Sequence, residues 1–113
     1  MRIAIPLADG KLAMHFGHCE EFALLDVDEQ DGGAVAKTER AAAPPHQPGL
    51  LPQWLQEQGA DLVICGGMGR RAQALFAQNG IDVVVGAPVG EPEQIARSYI
   101  AGELTTGPNV CDH

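Results

Sequence analysis

His15-Phe16-Gly17-His18-Cys19 places two imidazoles and one thiol within five consecutive residues. Neutral imidazole and thiolate suit zinc, copper, iron and iron–sulfur species, and Gly17 lets the backbone bend so that the three groups converge. The spacing is not that of a standard zinc site, where a CxxC pair is typical. Four more candidate ligands stand apart from this loop: Cys65 and Met68 in mid-chain, and Cys111 and His113 in the segment Cys111-Asp112-His113. Each also has a plainer reading. Cys65 closes an apolar run, where a thiol commonly serves as core filler. Met68 fits under a helix, His46 sits in a solvated proline loop, and the Cys-Asp-His segment reads equally as an unstructured tail.

A second feature is Gly66-Gly67-Met68-Gly69-Arg70, a glycine turn between a strand and a helix. Gly67, Gly69 and Ala72 match a dinucleotide fingerprint of the G-x-G-x-x-A type, yet Gly86-Ala87-Pro88 stands where that fingerprint wants an acid. The turn reads as a tight connection or as an anion site, in which backbone amides and a helix N-terminus attract negative charge. Arg70 and Arg71 would add to that attraction. A sulfide-rich metal cluster is itself anionic, so amides and soft ligands could serve one guest.

These residues need elements to bring them together. Ile3 to Leu7, Phe22 to Val27 and Leu62 to Cys65 are short apolar runs that read as buried strands. Asp31-Gly32-Gly33 predicts a hairpin turn into a polar edge strand from Ala34 to Arg40. Three prolines exclude helix between Ala43 and Gly49. Helices are expected from Leu50 to Gln58, from the glycine turn to Asn79, and from about Pro92 to Ala101, with a further strand over Val83 to Val85. The order β-β-β-α-β-α-β-α predicts a three-layer α/β domain. Its mixed five-stranded sheet has strand order 3-2-1-4-5 and three helices, a ribonuclease-H-like arrangement. Following the chain through that sheet, the loops carrying His15, His18, Cys19, His46, Cys65 and Met68 all emerge at one end, where open α/β sheets usually bind ligands. The last helix is expected to end at the other end, but about ten extended residues span ~30 Å, enough to climb back.

The whole chain, residues 1–113, reads as one domain, with 103–113 a polar tail; 113 residues suffice for one core and not for two. Net charge is −8, with no basic stretch beyond Arg70-Arg71. That disfavours nucleic acid and anionic membranes as partners. No apolar stretch approaches the ~20 residues of a membrane span, and the short N-terminal run interrupted by Pro6 is no signal peptide. A cytoplasmic location is expected. The three cysteines, odd in number and irregularly spaced, are expected to be reduced thiols rather than a disulfide framework.

The ordered set of motifs resembles the dinitrogenase iron–molybdenum cofactor biosynthesis family. It comprises His15-Phe16-Gly17-His18-Cys19 followed by Phe22-Ala23-Leu24-Leu25-Asp26-Val27, then Asp61-Leu62-Val63-Ile64-Cys65-Gly66-Gly67-Met68-Gly69-Arg70-Arg71-Ala72, Gly80-Ile81-Asp82-Val83-Val84-Val85 and Gly102-Glu103-Leu104. The family includes nitrogenase accessory proteins that hold iron–molybdenum cofactor or its precursors, and small proteins that hold molybdenum–copper sulfide clusters. The resemblance implies a ribonuclease-H-like fold and a stand-alone small member without the radical-SAM region. The Cys-Asp-His tail is not part of that pattern.

The expected function is therefore a non-catalytic binder, carrier or scaffold for a metal or metal–sulfur cluster of Mo, Fe or Cu type, exchanging it with donor or acceptor proteins. The expected metal ligands are His15, His18, Cys19, Cys65, Cys111 and His113, with Gly66, Gly67, Met68, Gly69 and Arg70 contacting the guest. The alternative is a nucleotide- or anion-sensing module that uses the Gly66–Gly69 turn alone. A nuclease is rejected, because two-metal chemistry needs several converging carboxylates, whereas strand one offers none before Asp9 at its end and Asp61 begins strand four at the wrong end of the sheet.

Overall fold

The computed structural model describes residues 1–14, 19–28, 34–44 and 49–107. In chain order these form β1 (Arg2–Ala8), β2 (Lys11–Leu12), β3 (Glu21–Asp28), β4 (Ala34–Ala42), α1 (Leu50–Glu57), β5 (Leu62–Ile64), α2 (Arg70–Gln78), β6 (Asp82–Val84) and α3 (Pro92–Ile100). The sheet runs β4-β3-β1-β5-β6, with β2 paired to β1 outside that path. β1 is antiparallel to β3 and parallel to β5, and β5 is parallel to β6. The expected path of five strands is present, but the sheet has six, not five. The additional strand, β2, is two residues long and lies in a stretch that reads as loop.

Period-two alternation sorts the side chains onto two faces. Ile3, Ile5, Leu25, Leu62 and Ile64 face α3, where they pack with Ile95 and Ala96. Ala4, Phe22, Leu24, Val63 and Cys65 face the other way and pack with Leu51 and Leu55 of α1 and Phe76 of α2. Covering both faces with helices is why β1 and β5 read as unbroken apolar runs rather than alternating ones.

At the N-terminal end of β1, the Arg2 guanidinium joins three elements. It donates to Asp26 of β3 at 3.0 Å, to Glu39 of β4 at 3.2 Å and to the carbonyl of Gln58 after α1 at 2.6 Å. The hydrogen bond from Arg2 holds the Asp26 carboxyl below its ordinary range, with the charge of Arg2 adding to it. Burying a side chain such as Leu55 or Phe76 contributes about 1.5–3 kcal/mol, whereas a partly exposed pair such as Arg2–Asp26 contributes about 1 kcal/mol or less. The core therefore holds the fold, and Arg2 trims its far end. Arg2→Met is expected to lower the melting temperature modestly at neutral pH. A depressed carboxylate stabilises the fold above its unfolded value, near 3.9, and that contribution is lost as pH falls through the folded value. Thermal melts of Arg2→Met and wild type should therefore converge on acidification below pH ~4. A gap that widens in acid would refute the assignment.

Candidate metal centre

The site end is built by a tight hairpin. Asp9 and Gly10 both have positive φ, 54° and 78°, the signature of a type I′ two-residue loop, whose twist matches that of the paired strands. It folds β2 back onto β1 with Leu7 opposite Leu12. β3 occupies one side of β1 as far as Leu7, while β5 occupies the other side only at Ile3 and Ala4. β2 thus fills the place beside β1 that β5 leaves, and the two meet end to end. The junction is close: a Cβ on Gly66 would lie 2.8 Å from the carbonyl oxygen of Met14 and 2.9 Å from its Cα. Gly66 is required here by the approach of another segment of backbone, and any side chain must push β2 and β5 apart.

The candidate ligand loop leaves from Met14 and returns at Cys19. Glu20 then donates to the Leu7 carbonyl at 2.9 Å, starting β3. Met14 and Cys19, which flank that loop, therefore lie at the same end of the sheet as the turn around Met68. The loop starts from the meeting of β2 with β5, however, and not directly from the tip of β1. His15 and His18 lie outside the described residues, as do His46 and the segment holding Cys111 and His113.

Cys19 is half-buried and packs against the cluster that contains Phe22, Cys65 and Met68. Burial pushes its thiol up to about 11, with a backbone hydrogen bond acting in the opposite direction. Neither Cys19 nor Cys65 is in a disulfide. Cys65 is fully buried and Met68 is 1% exposed. Both belong to the apolar cluster against which Cys19 packs, and direct ligation by Cys65 would require its side chain to leave that packing. Among the described residues, no three His, Cys, Asp or Glu side chains are arranged to hold an ion.

The glycine turn closes the other side. Gly66 and Gly67 are buried, Gly69 is half-exposed and Arg70 and Arg71 are exposed. Gly69 is the N-cap of α2, in an extended conformation, with no side-chain cap and no acidic residue in the first turn. The positive end of this helix is thus uncompensated by a carboxylate of its own first turn, and two arginines stand on it. Gln73 secures the turn by donating to the Met68 carbonyl at 2.9 Å. A half-buried thiol packed on an apolar cluster, at the sheet end where α2 begins, fits a sulfide-rich anionic group better than a bare hard cation, which seeks oxygen ligands.

Two features of this end escape a reading of motifs. The Asp9-Gly10 pair is a hairpin signal, but the strand it forms is too short to show a period. Gly86, just past β6, donates to the Gly66 carbonyl at 2.8 Å and accepts from the Gly107 amide at 2.7 Å, a contact across 21 residues of sequence that no local pattern announces.

The fold and its site end define a small mixed α/β domain in which Met14 and Cys19 lie at the same sheet end as a glycine turn. The chain belongs to the dinitrogenase iron-molybdenum cofactor family, whose model matches residues 1–102. It is 30% identical over 108 residues to the uncharacterized protein MJ0580 of Methanocaldococcus jannaschii, covering 92% of this chain and 89% of that one. The crystal structure of PH0822 superposes with a TM-score of 0.84 at 32% identity, covering 94% of each chain. The apo form of the orange protein from Desulfovibrio gigas shares the fold, with a TM-score of 0.69, 22% identity and coverage of 96% and 93%. No helix among the described residues is long and apolar enough to cross a membrane.

Proposed function

We propose that this protein is a non-catalytic binder that carries or scaffolds a metal–sulfur cluster of iron–molybdenum cofactor type, or a related Mo, Fe or Cu sulfide. The observation that carries the reading is the position of Cys19. Its side chain lies half-buried against the cluster that contains Cys65 and Met68, on the face and at the sheet end where α2 begins. Membership of a family named for iron-molybdenum cofactor supports the choice of guest. In this reading His15, His18 and Cys19 are the first ligands. The Gly66–Gly69 turn and Arg70 receive anionic sulfides, and Cys65 and Met68 keep the packing against Cys19 dry. We read the fold as ribonuclease-H-like, a reading that the β4-β3-β1-β5-β6 path supports. The protein works in the cytoplasm, receiving and passing its cargo by contact with donor and acceptor proteins.

A second reading has one observation in its favour. The uncompensated α2 N-terminus with Arg70 and Arg71 would also attract a nucleotide phosphate. The experiment separates the two. Reduced apo-protein is titrated without oxygen with Cu(I), Fe(II), tetrathiomolybdate and ATP in turn, and bound metal and nucleotide are measured after desalting. Retention of a metal or thiomolybdate at a fixed ratio per chain is the expected result. Retention of ATP alone would replace the cluster reading with the sensing one.

A further inference from the structure

β4 ends the sheet on one side, and its outer edge is long. It has nine residues, Ala34–Ala42, and β3 is its strand partner among the described residues. The edge on the other side, β6, has three residues. A long open edge invites pairing with any extended chain, and proteins commonly blunt it with charges or a bulge. β4 carries both. Asp26 faces Lys37 while Val27 faces Val35, so Ala36 is an extra residue without a partner in β3. After it comes Lys37-Thr38-Glu39-Arg40. Lys37, Thr38 and Arg40 are exposed, and Glu39 is half-exposed.

The order of these charges repels most strands but not a copy of itself. Ala41 packs with the α1 and α2 cluster. Side chains alternate between faces, so Lys37 and Glu39 project on the side of Ala41, and Thr38 and Arg40 on the other. Two copies related by a two-fold axis normal to the sheet keep these faces aligned. Residues that meet across an antiparallel ladder then come from the same face, and the ladder centres on one residue facing its own copy. Centring on Lys37, Glu39 or Arg40 sets like charges against each other. Centring on Ala41 sets Glu39 and Arg40 opposite alanines and runs the ladder into Pro44, which has no amide to donate. Centring on Thr38 sets Lys37 of each copy opposite Glu39 of the other, with threonine on threonine between them. Both are favourable cross-strand pairs. Glu39 is already held by Arg2 at 3.2 Å, and Lys37 Nζ lies 2.7 Å from it within the strand. The pairs across the ladder use the same groups with the partners exchanged.

We propose that β4 is the interface of a symmetric homodimer, in which two copies of this chain pair antiparallel in register about Thr38. A surface that contacts itself about a two-fold axis closes the assembly. The dimer consumes the long edge and leaves the short β6 edges at its margins. β4 is antiparallel to β3, which is antiparallel to β1, so β4 runs with β1. The site ends of the two copies therefore point in opposite directions, and the contact covers neither. The proposal does not depend on the metal-centre reading. A ladder this short belongs with interfaces below ~1,200 Å², so half-association is expected at roughly 10–100 µM chain.

Sedimentation equilibrium of the reduced, metal-free chain up to about 1 mM reads the association. Lys37→Glu sets like charges opposite each other twice and should weaken it roughly tenfold or more. Lys37→Glu/Glu39→Lys restores unlike pairs and should self-associate within about threefold of wild type. The same double variant should form no mixed dimer with fluorescently labelled wild type, because each cross pair then joins like charges. Thermal melts show which variants are folded. Glu39→Lys also meets Arg2, so a second pair of variants leaves Lys37 and Glu39 in place. In Thr38→Cys the introduced thiols face each other across the axis. In Arg40→Cys they stand four residues out of register, about 13 Å apart, beyond the ~7 Å between Cα atoms that a disulfide tolerates. Under mild oxidation, with the linked peptides mapped, an interchain disulfide should form at position 38 at least tenfold faster than at position 40. A wild-type chain that stays monomeric at about 1 mM overturns the proposal. So does undiminished association of folded Lys37→Glu, failure of the folded double variant to self-associate, or bridging at position 40 as fast as at position 38.

Discussion

The His15→Ala/Cys19→Ser double variant is expected to lose measurable uptake of thiophilic metal and of tetrathiomolybdate. Structural metal sites with four ligands reach about 10–16 kcal/mol, so each ligand contributes roughly 3 kcal/mol, or about a hundredfold in affinity. Two ligands removed from one short loop should therefore cost about four orders of magnitude. His46→Ala should cost far less, because His46 belongs to a separate proline-stiffened connection. Binding should also strengthen as pH rises. The Cys19 thiol, raised to about 11 by burial, is protonated at neutral pH and must release its proton to ligate. That release alone makes affinity rise about tenfold per pH unit below the thiol's own value. Anaerobic calorimetry in buffers of different ionisation enthalpy counts the protons, and the Cys19→Ser variant should release one fewer. Equal uptake by wild type and the double variant would remove the histidine–cysteine loop from the site.

Most of what positions this centre is legible in residue patterns, because it depends on burial. Ile3, Ile5, Leu62 and Ile64 must be covered on one face and Ala4, Val63 and Cys65 on the other. That requirement alone sets β1 and β5 side by side under helices. The same logic places Cys65: an unbroken apolar run predicts a buried thiol, and the thiol is buried. What escapes a reading of patterns is backbone meeting backbone. Gly66 reads as part of a turn motif, yet the Met14 carbonyl is what forbids a side chain there. Gly86 and Gly107 carry no side chain whose type could mark them, and their contact joins segments remote in sequence. The hairpin at Asp9-Gly10 announces itself by composition, but its consequence does not. By filling the place beside β1, β2 moves the origin of the ligand loop from the tip of β1 to the end of β5.

Gly69→Asp should move stability and guest affinity in opposite directions, which separates the α2 N-terminus as a binding element from the turn as a mere connection. Gly67 is a poorer probe, because it is buried and a carboxylate there would be desolvated, mixing fold damage with loss of binding. Gly69 is half-exposed, its φ and ψ of −65° and 155° suit any residue, and a Cβ on it meets nothing within 4 Å. It is also the N-cap, where aspartate accepts from the first-turn amides and faces the positive end of the helix. Replacing glycine there should therefore leave the melting temperature unchanged or raise it, by a few tenths to about 1 kcal/mol of stability. The same carboxylate would stand against any anionic guest seated on those amides and would occupy the donors the guest needs. A carboxylate ~5 Å from the tetrathiomolybdate dianion in an effective dielectric of ~20 repels it by about 6–7 kcal/mol, which solvent access reduces to roughly half. The expected outcome is a loss of about a hundredfold or more in affinity for tetrathiomolybdate, and a larger loss for guests of higher charge. Gly69→Asn, which caps the helix without the charge, should retain most of the binding. If Gly69→Asp binds thiomolybdate as tightly as wild type while melting at the same or a higher temperature, the guest does not sit on this helix, and the soft ligands of the His15–Cys19 loop must hold it without help from α2.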